Sequence, residues 1–146
     1  AKGMKRLIFD LRGNSGGLLT EAIGVSDLFL PGGKTVVYTK GRIADSSKFY
    51  YSTTKDKVSG FPLIVLIDHG SASASEIVAG ALQDHDRGLL LGMTTFGKGL
   101  VQRQYTLADG SARSRWPRPS MRSLRFPTSW TRASGTGLRC GRTCGR

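Results

Sequence analysis

Long apolar runs are missing from this 146-residue chain. No stretch approaches the roughly 18 apolar residues that a membrane-spanning helix needs. The first residues also lack the charged, apolar and small-residue regions of a secretory signal peptide. Because the chain begins at Ala1 and its first strand-like run follows within a few residues, we expect it to be a segment of a longer protein.

Cysteine and histidine are scarce, with two of each. Cys140 and Cys144 lack histidine partners at a zinc-binding spacing, which excludes a recognisable zinc site. The cluster at residues 84–86 (Asp-His-Asp) does not favour a metal, because adjacent helical residues point in different directions. A GxxxxGK[ST] phosphate-binding loop is also absent. The residues therefore predict neither a metal nor a cofactor.

Acidic residues are missing from the C-terminal part. The chain contains 22 Lys and Arg against 10 Asp and Glu, a net charge of +12. Nine arginines and no acid lie in residues 113–146, a stretch with no helical or strand periodicity, for which we predict disorder. The change near Ala112 is typical of translation in a wrong reading frame or of a genuine basic appendage. We predict a partial domain at 1–112 followed by this arginine-rich tail.

The first 112 residues alternate strand-like and helix-like patterns. Short apolar runs that end in turn-forming residues are typical of buried parallel strands. Two segments with apolar residues at helical spacing follow such runs. The predicted order of strands and helices along the chain is typical of an α/β fold. The predicted strands lie within 4–11, 35–38, 49–53, 62–68, 89–92 and 100–107, the helices within 18–30 and 71–85.

Three serines lie in the sequence GSASASE, residues 70–76, between a predicted strand and a predicted helix. Ser73 and Glu76 have the spacing of a helix capping box, so a purely structural role is one interpretation. A nucleophilic role is another, because a helix N-terminus presents unpaired N–H groups that stabilise a developing oxyanion. The pattern is not GxSxG, which excludes the nucleophile elbow of α/β-hydrolases.

A nucleophilic serine requires a base. His85 would lie roughly 18 Å along the helix axis from Ser73. His69 would have to fold back over the following glycine. Lys98, between two glycines in FGKG, is a better candidate, since burial favours the neutral lysine that a base requires. A solvated or phosphate-binding lysine is the alternative interpretation.

The glycine-rich turn RGNSGG, residues 12–17, follows the first predicted strand. Turns at the carboxyl ends of strands in α/β sheets often bind ligands. This turn has two interpretations: a tight connection between strand and helix, or a loop that directs a backbone N–H at a substrate oxygen. The segment alone does not decide between them.

Together these segments resemble the C-terminal-processing, or tail-specific, serine peptidase family. SASASE and FGKG occur in the family's order, and 25 residues separate Ser73 from Lys98. The resemblance covers nearly all of residues 5–110 and implies a crotonase-like, ClpP-type α/β core. Family members usually carry a PDZ domain that binds substrate C-termini, and none of the matching stretches corresponds to it. These stretches are residues 7–33, 39–42, 62–92 and 94–102.

The resemblance implies a role for each site residue. Ser73 would be the nucleophile and Lys98 the base of a Ser/Lys dyad, and Gln102 would orient the lysine. The backbone N–H of Ala74 and that of Gly16, with Gly17 as the alternative to Gly16, would form the oxyanion hole. No cofactor is implied.

The implied activity is that of a serine endopeptidase that cleaves protein substrates near their C-termini through an acyl-enzyme. The implied location of the parent protein is the periplasm or cell envelope after export. Two alternatives remain open: a catalytically inactive, truncated piece of such an enzyme, and a protein that binds nucleic acid non-specifically through its basic tail.

Overall fold

Two helices and eight strands are present in the residues that the computed structural model describes, namely 3–40, 47–53, 58, 60–99, 103–106, 112–115 and 120–122. Backbone alone is described for residue 40 and for residues 103–106, 112–115 and 120–122. In chain order the elements are β1 Leu7–Asp10, α1 Leu19–Asp27, β2 Thr35–Lys40, β3 Lys48–Tyr51, β4 Leu63–Ile67, α2 Ala74–Asp84, β5 Leu89–Gly92, β6 Arg103–Thr106, β7 Ala112–Arg115 and β8 Ser120–Arg122.

Three strands form a parallel sheet in the order β1-β4-β5. The central strand β4 aligns Ile64 with Ile8 on one side and with Leu89 on the other. Because all three strands run in the same direction, the turns that follow them lie at one edge of the sheet. The predicted α/β fold, with a parallel strand within 4–11 and a strand at 62–68, is confirmed.

The core lies between this sheet and the two helices. Alternate residues of β4 are fully buried, and Val65 at its centre has no exposed surface. In α2 nearly every residue from Ala74 to Leu82 is buried, because this helix contacts α1, β2 and β5. Each large aliphatic side chain buried in this way stabilises the fold by about 1.5–3 kcal/mol relative to its exposed state.

The remaining strands form an antiparallel sheet in the order β3-β2-β8 and a separate β6-β7 pair. Strands β7 and β8 lie mainly in the region after residue 112, for which the sequence predicted disorder. Residues 113–115 and 120–122 nevertheless pair as strands, because strands pair through backbone groups and need no apolar periodicity. Disorder of the tail as a whole stays a prediction. The rest of the predicted tail lies outside the described residues.

Gly92, the last residue of β5, lies so close to β4 that it leaves no space for a side chain. Its φ is +140°, and a Cβ at this position would overlap the carbonyl oxygen of Ile67 in the neighbouring strand. We expect Gly92→Ala to lower the free energy of unfolding by about 2 kcal/mol or more, because the strand pair must shift. Urea unfolding of the full chain, followed by circular dichroism, measures this change.

Gly24→Ala is the matched control. Gly24 lies within α1, and a Cβ there would meet no atom within 4 Å. This substitution should raise the free energy of unfolding by roughly 0.5–1 kcal/mol, since alanine favours the helix. Equal effects of the two substitutions would contradict the steric explanation for Gly92.

Candidate active site

Three turns meet at the carboxyl edge of the parallel sheet, one after each of its strands. They comprise residues 11–17 after β1, 68–73 after β4 and 93–99 after β5. The backbone N–H of Gly13 donates to Asp68 Oδ1 at 2.8 Å, which joins the first turn to the second. The N–H of Phe96 donates to the carbonyl oxygen of Ser71 at 3.0 Å, which joins the third turn to the second.

The burial of the three serines distinguishes between them. Ser71 and Ser75 are 0% and 4% exposed, respectively, whereas Ser73 is only partly buried. The Ser71 hydroxyl donates to the carbonyl oxygen of Leu11 at 2.8 Å and accepts from the N–H of Asp68 at 3.0 Å, which is a structural role. Among these serines, Ser73 is therefore the one whose side chain an external molecule can reach.

Ser73 immediately precedes α2 and has an unusual backbone conformation. Its φ and ψ are 53° and −114°, and a positive φ is uncommon for a residue other than glycine. Such strained conformations cost roughly 1–3 kcal/mol and cluster at functional sites. The carbonyl oxygen of Ser73 accepts the first helical hydrogen bonds, from Glu76 and Ile77. The capping-box interpretation of Ser73 and Glu76 is confirmed, and the helix begins at Ala74, three residues after the start of the predicted range.

The Glu76 carboxylate connects Ser73 to the loop that contains Lys98. Glu76 Oε2 accepts from the backbone N–H of Ser73 at 2.7 Å and from that of Lys98 at 2.9 Å. The other oxygen, Oε1, accepts from the Thr95 hydroxyl at 2.7 Å and from the Gly97 N–H at 2.6 Å. The amide nitrogens of Ser73 and Lys98 cannot be further apart than the sum of their two distances to Oε2. The sequence-predicted serine and lysine therefore lie close together.

Asp68 joins the glycine-rich turn to the serine segment. Its Oδ1 accepts from the backbone N–H groups of Gly13, Gly70 and Ser71 at 2.8, 2.9 and 3.1 Å. The Gly13 N–H is the strongest influence, and these donors together hold the pKa of Asp68 below its ordinary value. The carboxylate is thus stabilised in its ionised form at the edge of the site.

Gly16 makes the closest approach of the first turn to the helix start. Its φ is +101°, and a Cβ there would lie 2.6 Å from the carbonyl oxygen of Ala72 and 2.8 Å from the Ala74 nitrogen. Glycine is therefore required for this contact. The Gly16 N–H donates to Asn14 Oδ1 at 2.9 Å. The N–H of Ala74, the first residue of α2, has no intrahelical acceptor.

The other residues considered from the sequence are placed differently. His85 follows the C-terminal end of α2, and its Nε2 lies 2.8 Å from the carbonyl oxygen of Thr35, so it does not pair with Ser73. His69 is exposed. Gln102 lies outside the described residues, so its role stays a prediction.

Within the described part of the chain, no group of three or more His, Cys, Asp or Glu side chains comes together in a way that could hold a metal ion. Neither of its helices has the length and apolar character needed to cross a membrane.

Comparison with known proteins decides the family. Residues 1–122 match the family model described as peptidase family S41. This chain belongs to peptidase family S41. The resemblance inferred from SASASE and FGKG is thereby confirmed, and the family match continues past the composition change at residue 112.

Curated members of the S41 family with similar sequences include two processing peptidases. The chain is 46% identical over 110 residues to carboxyl-terminal-processing peptidase 1, chloroplastic, of Arabidopsis thaliana, covering 75% of this chain and 22% of that protein. It is 48% identical over 109 residues to the carboxy-terminal-processing protease of Bartonella bacilliformis, covering 75% and 25%. The chain thus spans about a quarter of the length of these curated relatives.

A solved S41-type structure has the same arrangement of elements. The structure of a photosystem II D1 C-terminal processing protease superimposes with a TM-score of 0.72 at 35% sequence identity. The alignment covers 83% of this chain and 31% of that one. This similarity supports the assignment of the described strands and helices to the fold of the family.

Several site residues were not identified from the sequence. Asp68 carried a detectable signal, since an aspartate in a turn commonly accepts a hydrogen bond from the backbone N–H two residues on, here that of Gly70. The spacing of Glu76 predicted its bond to Ser73, but not its bonds to Thr95, Gly97 and Lys98. Those bonds depend on the packing of β5 beside β4, which a local pattern does not reveal.

Substitutions of Asp68 test the link between the first two turns. All three backbone donors reach Oδ1, so the carbonyl oxygen of an asparagine can accept the same bonds. We expect Asp68→Ala to lower the melting temperature of the full chain at pH 7 clearly more than Asp68→Asn does. Thermal denaturation followed by circular dichroism measures both, and equal losses would argue against this geometry.

The lowered pKa of Asp68 also predicts a dependence on pH. The pKa of Asp68 in the folded chain lies below its ordinary value of 3.8, so ionised Asp68 stabilises the fold at pH values above 3.8. This stabilisation is lost as the pH falls through the pKa of the folded state. The stability of the wild-type chain relative to Asp68→Asn should therefore decrease on acidification below about pH 4. A constant difference between pH 7 and pH 3 would show that the folded state does not lower this pKa.

Proposed function

We propose that this chain carries the catalytic residues of a serine endopeptidase that cleaves protein substrates near their C-termini, with Ser73 as nucleophile and Lys98 as general base. One observation carries the proposal: a single oxygen atom, Glu76 Oε2, accepts hydrogen bonds from the backbone amides of both residues. Membership of a peptidase family is consistent with this interpretation.

Ser73 has the environment that a nucleophile requires. It lies at the N-terminus of an 11-residue helix, where unpaired N–H groups and the helix dipole favour negative charge. Its side chain is partly exposed, while the neighbouring serines are buried. The Glu76 carboxylate accepts the capping-box hydrogen bond from the Ser73 N–H, and this bond holds Ser73 at the start of α2.

Lys98 is the proposed proton acceptor. Its backbone is held beside that of Ser73, and the flexible four-carbon stem of lysine is long enough to bring Nζ to the serine hydroxyl. Neutral Lys98 would take the proton of Ser73 Oγ as this oxygen attacks the substrate carbonyl carbon. The protonated lysine would then give the proton to the leaving amine, and water would hydrolyse the acyl-enzyme. Gln102 is proposed to orient the lysine.

The oxyanion of the tetrahedral intermediate would be bound by backbone N–H groups. The Ala74 N–H is the first donor, since it lacks an intrahelical acceptor. Gly16 lies against it and would supply the second N–H after exchanging Asn14 Oδ1 for the substrate oxygen. Gly17 is the alternative second donor.

The substrates and compartment are inferred from the family. Relatives named carboxyl-terminal-processing peptidases point to protein chains with accessible C-termini as substrates. An exported parent protein, acting in the periplasm or cell envelope, is the proposed setting. Because the chain spans about a quarter of its relatives, a second candidate is a catalytic region that acts only within a longer polypeptide.

Substitution of the two proposed catalytic residues tests this function. Ser73→Ala and Lys98→Ala should each reduce cleavage of an unstructured protein by at least about a thousandfold, because each removes an essential partner in acyl transfer. Cleavage is followed by gel electrophoresis and mass spectrometry at neutral to mildly alkaline pH. Ser47→Ala and Lys48→Ala, at exposed positions at the start of β3, are matched controls. Wild-type cleavage by Ser73→Ala would refute the dyad.

A further inference from the structure

We propose that Glu76 is a positioning residue that sets the relative placement of Ser73 and Lys98, and that a side-chain amide cannot replace its carboxyl group in this role. The inference rests on the proposed Ser/Lys function. Glu76 is 2% exposed, yet all four of its hydrogen bonds are to groups in or beside the candidate site. A buried carboxylate with four donors is satisfied, whereas one without them would be strongly unfavourable.

Helix capping alone does not account for these contacts. A capping box pairs the hydroxyl of the capping residue with the N–H of the acid three residues later, and it requires only one bond to the side chain of that acid, from the N–H of the capping residue. In this chain that bond is the one from Ser73. The other three donors belong to Thr95, Gly97 and Lys98, about twenty residues further along the chain, in the turn after β5. Glu76 therefore joins the serine segment to the lysine loop.

The donors also determine which side chain fits. Each carboxylate oxygen accepts from at least one backbone N–H, and a backbone N–H cannot change into an acceptor. An ionised carboxylate is acceptor-only and has about four lone-pair directions. In glutamine, the amide NH₂ would point at a backbone N–H whichever way the group is turned. Glu76→Gln is thus expected to separate the two segments despite its similar size.

Asp68 provides an informative contrast. Its three backbone donors all reach a single oxygen, so an amide is compatible with them. The inability of an amide to replace Glu76 therefore follows from the use of both oxygens by backbone donors, not from the mere presence of an acidic side chain at the site. This difference makes the amide substitution a specific probe of the link between Ser73 and Lys98.

The functional consequence is a slower reaction at Ser73. Misplacement of a catalytic group by about 1 Å can reduce a rate roughly a hundredfold. Glu76→Gln should therefore slow phosphonylation of Ser73 by a fluorophosphonate probe about a hundredfold in the full chain; in this reaction Ser73 Oγ bonds to phosphorus as the P–F bond breaks and fluoride leaves. Glu21→Gln, which changes an exposed carboxylate in the first turn of α1, is the matched control and should react at the wild-type rate.

Variants of Thr95 keep the test informative if Glu76→Gln fails to fold. Thr95→Val removes one donor to Oε1 and leaves the bonds of Ser73 and Lys98 to Oε2. It should slow labelling by roughly three- to tenfold, the equivalent of one hydrogen bond. Thr95→Ser keeps the hydroxyl and should restore the wild-type rate. Circular dichroism at the labelling temperature shows which variants are folded.

Hydrogen exchange supplies a readout that does not depend on activity. Peptides that contain residues 73–76 and 95–98 should exchange faster in folded Glu76→Gln or Thr95→Val than in wild type, and should not change in Glu21→Gln. Unchanged exchange in both segments would overturn the positioning role, even if the wild-type chain reacted with no probe.

The two proposals fail in different ways. If Lys98→Ala is labelled as fast as wild type, the proposed dyad is wrong. If Lys98→Ala is slow but folded Glu76→Gln and Thr95→Val are both labelled at the wild-type rate, the dyad stands and the positioning role of Glu76 is wrong. Slow labelling of Glu76→Gln and Thr95→Val, with recovery in Thr95→Ser, supports both proposals.

Discussion

Parallel pairing of β1, β4 and β5 is the constraint on which the candidate site depends. Strands that run in the same direction end at the same edge, so three turns that are far apart in sequence come together there. Beyond the last strand pairs, the backbone groups of these turns lose their sheet partners and need others. The polar contacts of the site meet that need, so that the same groups maintain the fold and shape the site.

Two carboxylates provide many of these partners. Asp68 holds the turn after β1 against the segment after β4, and Glu76 holds that segment against the turn after β5. Asp68 is partly exposed and uses one oxygen for its backbone donors, whereas Glu76 is buried and uses both. Neither carboxylate is proposed to touch substrate. Their contribution is to fix Ser73, Lys98 and the glycine-rich turn relative to one another.

The fold could be predicted where local patterns determine it. The apolar run at 62–68 predicted β4, and the helix predicted at 71–85 is present as Ala74–Asp84. Strands β7 and β8 could not be predicted, since backbone pairing leaves no signature in an arginine-rich sequence. The alignment of Ile64 with both Ile8 and Leu89 also required the structure, because strand order depends on contacts between distant residues.

The sequence by itself determined the family and the candidate residues Ser73 and Lys98, because SASASE and FGKG are short motifs whose spacing is specific. The spacing of Ser73 and Glu76 also indicated that Ser73 caps a helix, since the capping signal is local. Only the tertiary structure decided that Ser73 is the accessible serine, that Gly16 lies against the helix start, and that Glu76 joins the serine to the lysine loop. These features are contacts between separate turns, and the parallel direction of three strands, not any local pattern, brings those turns together.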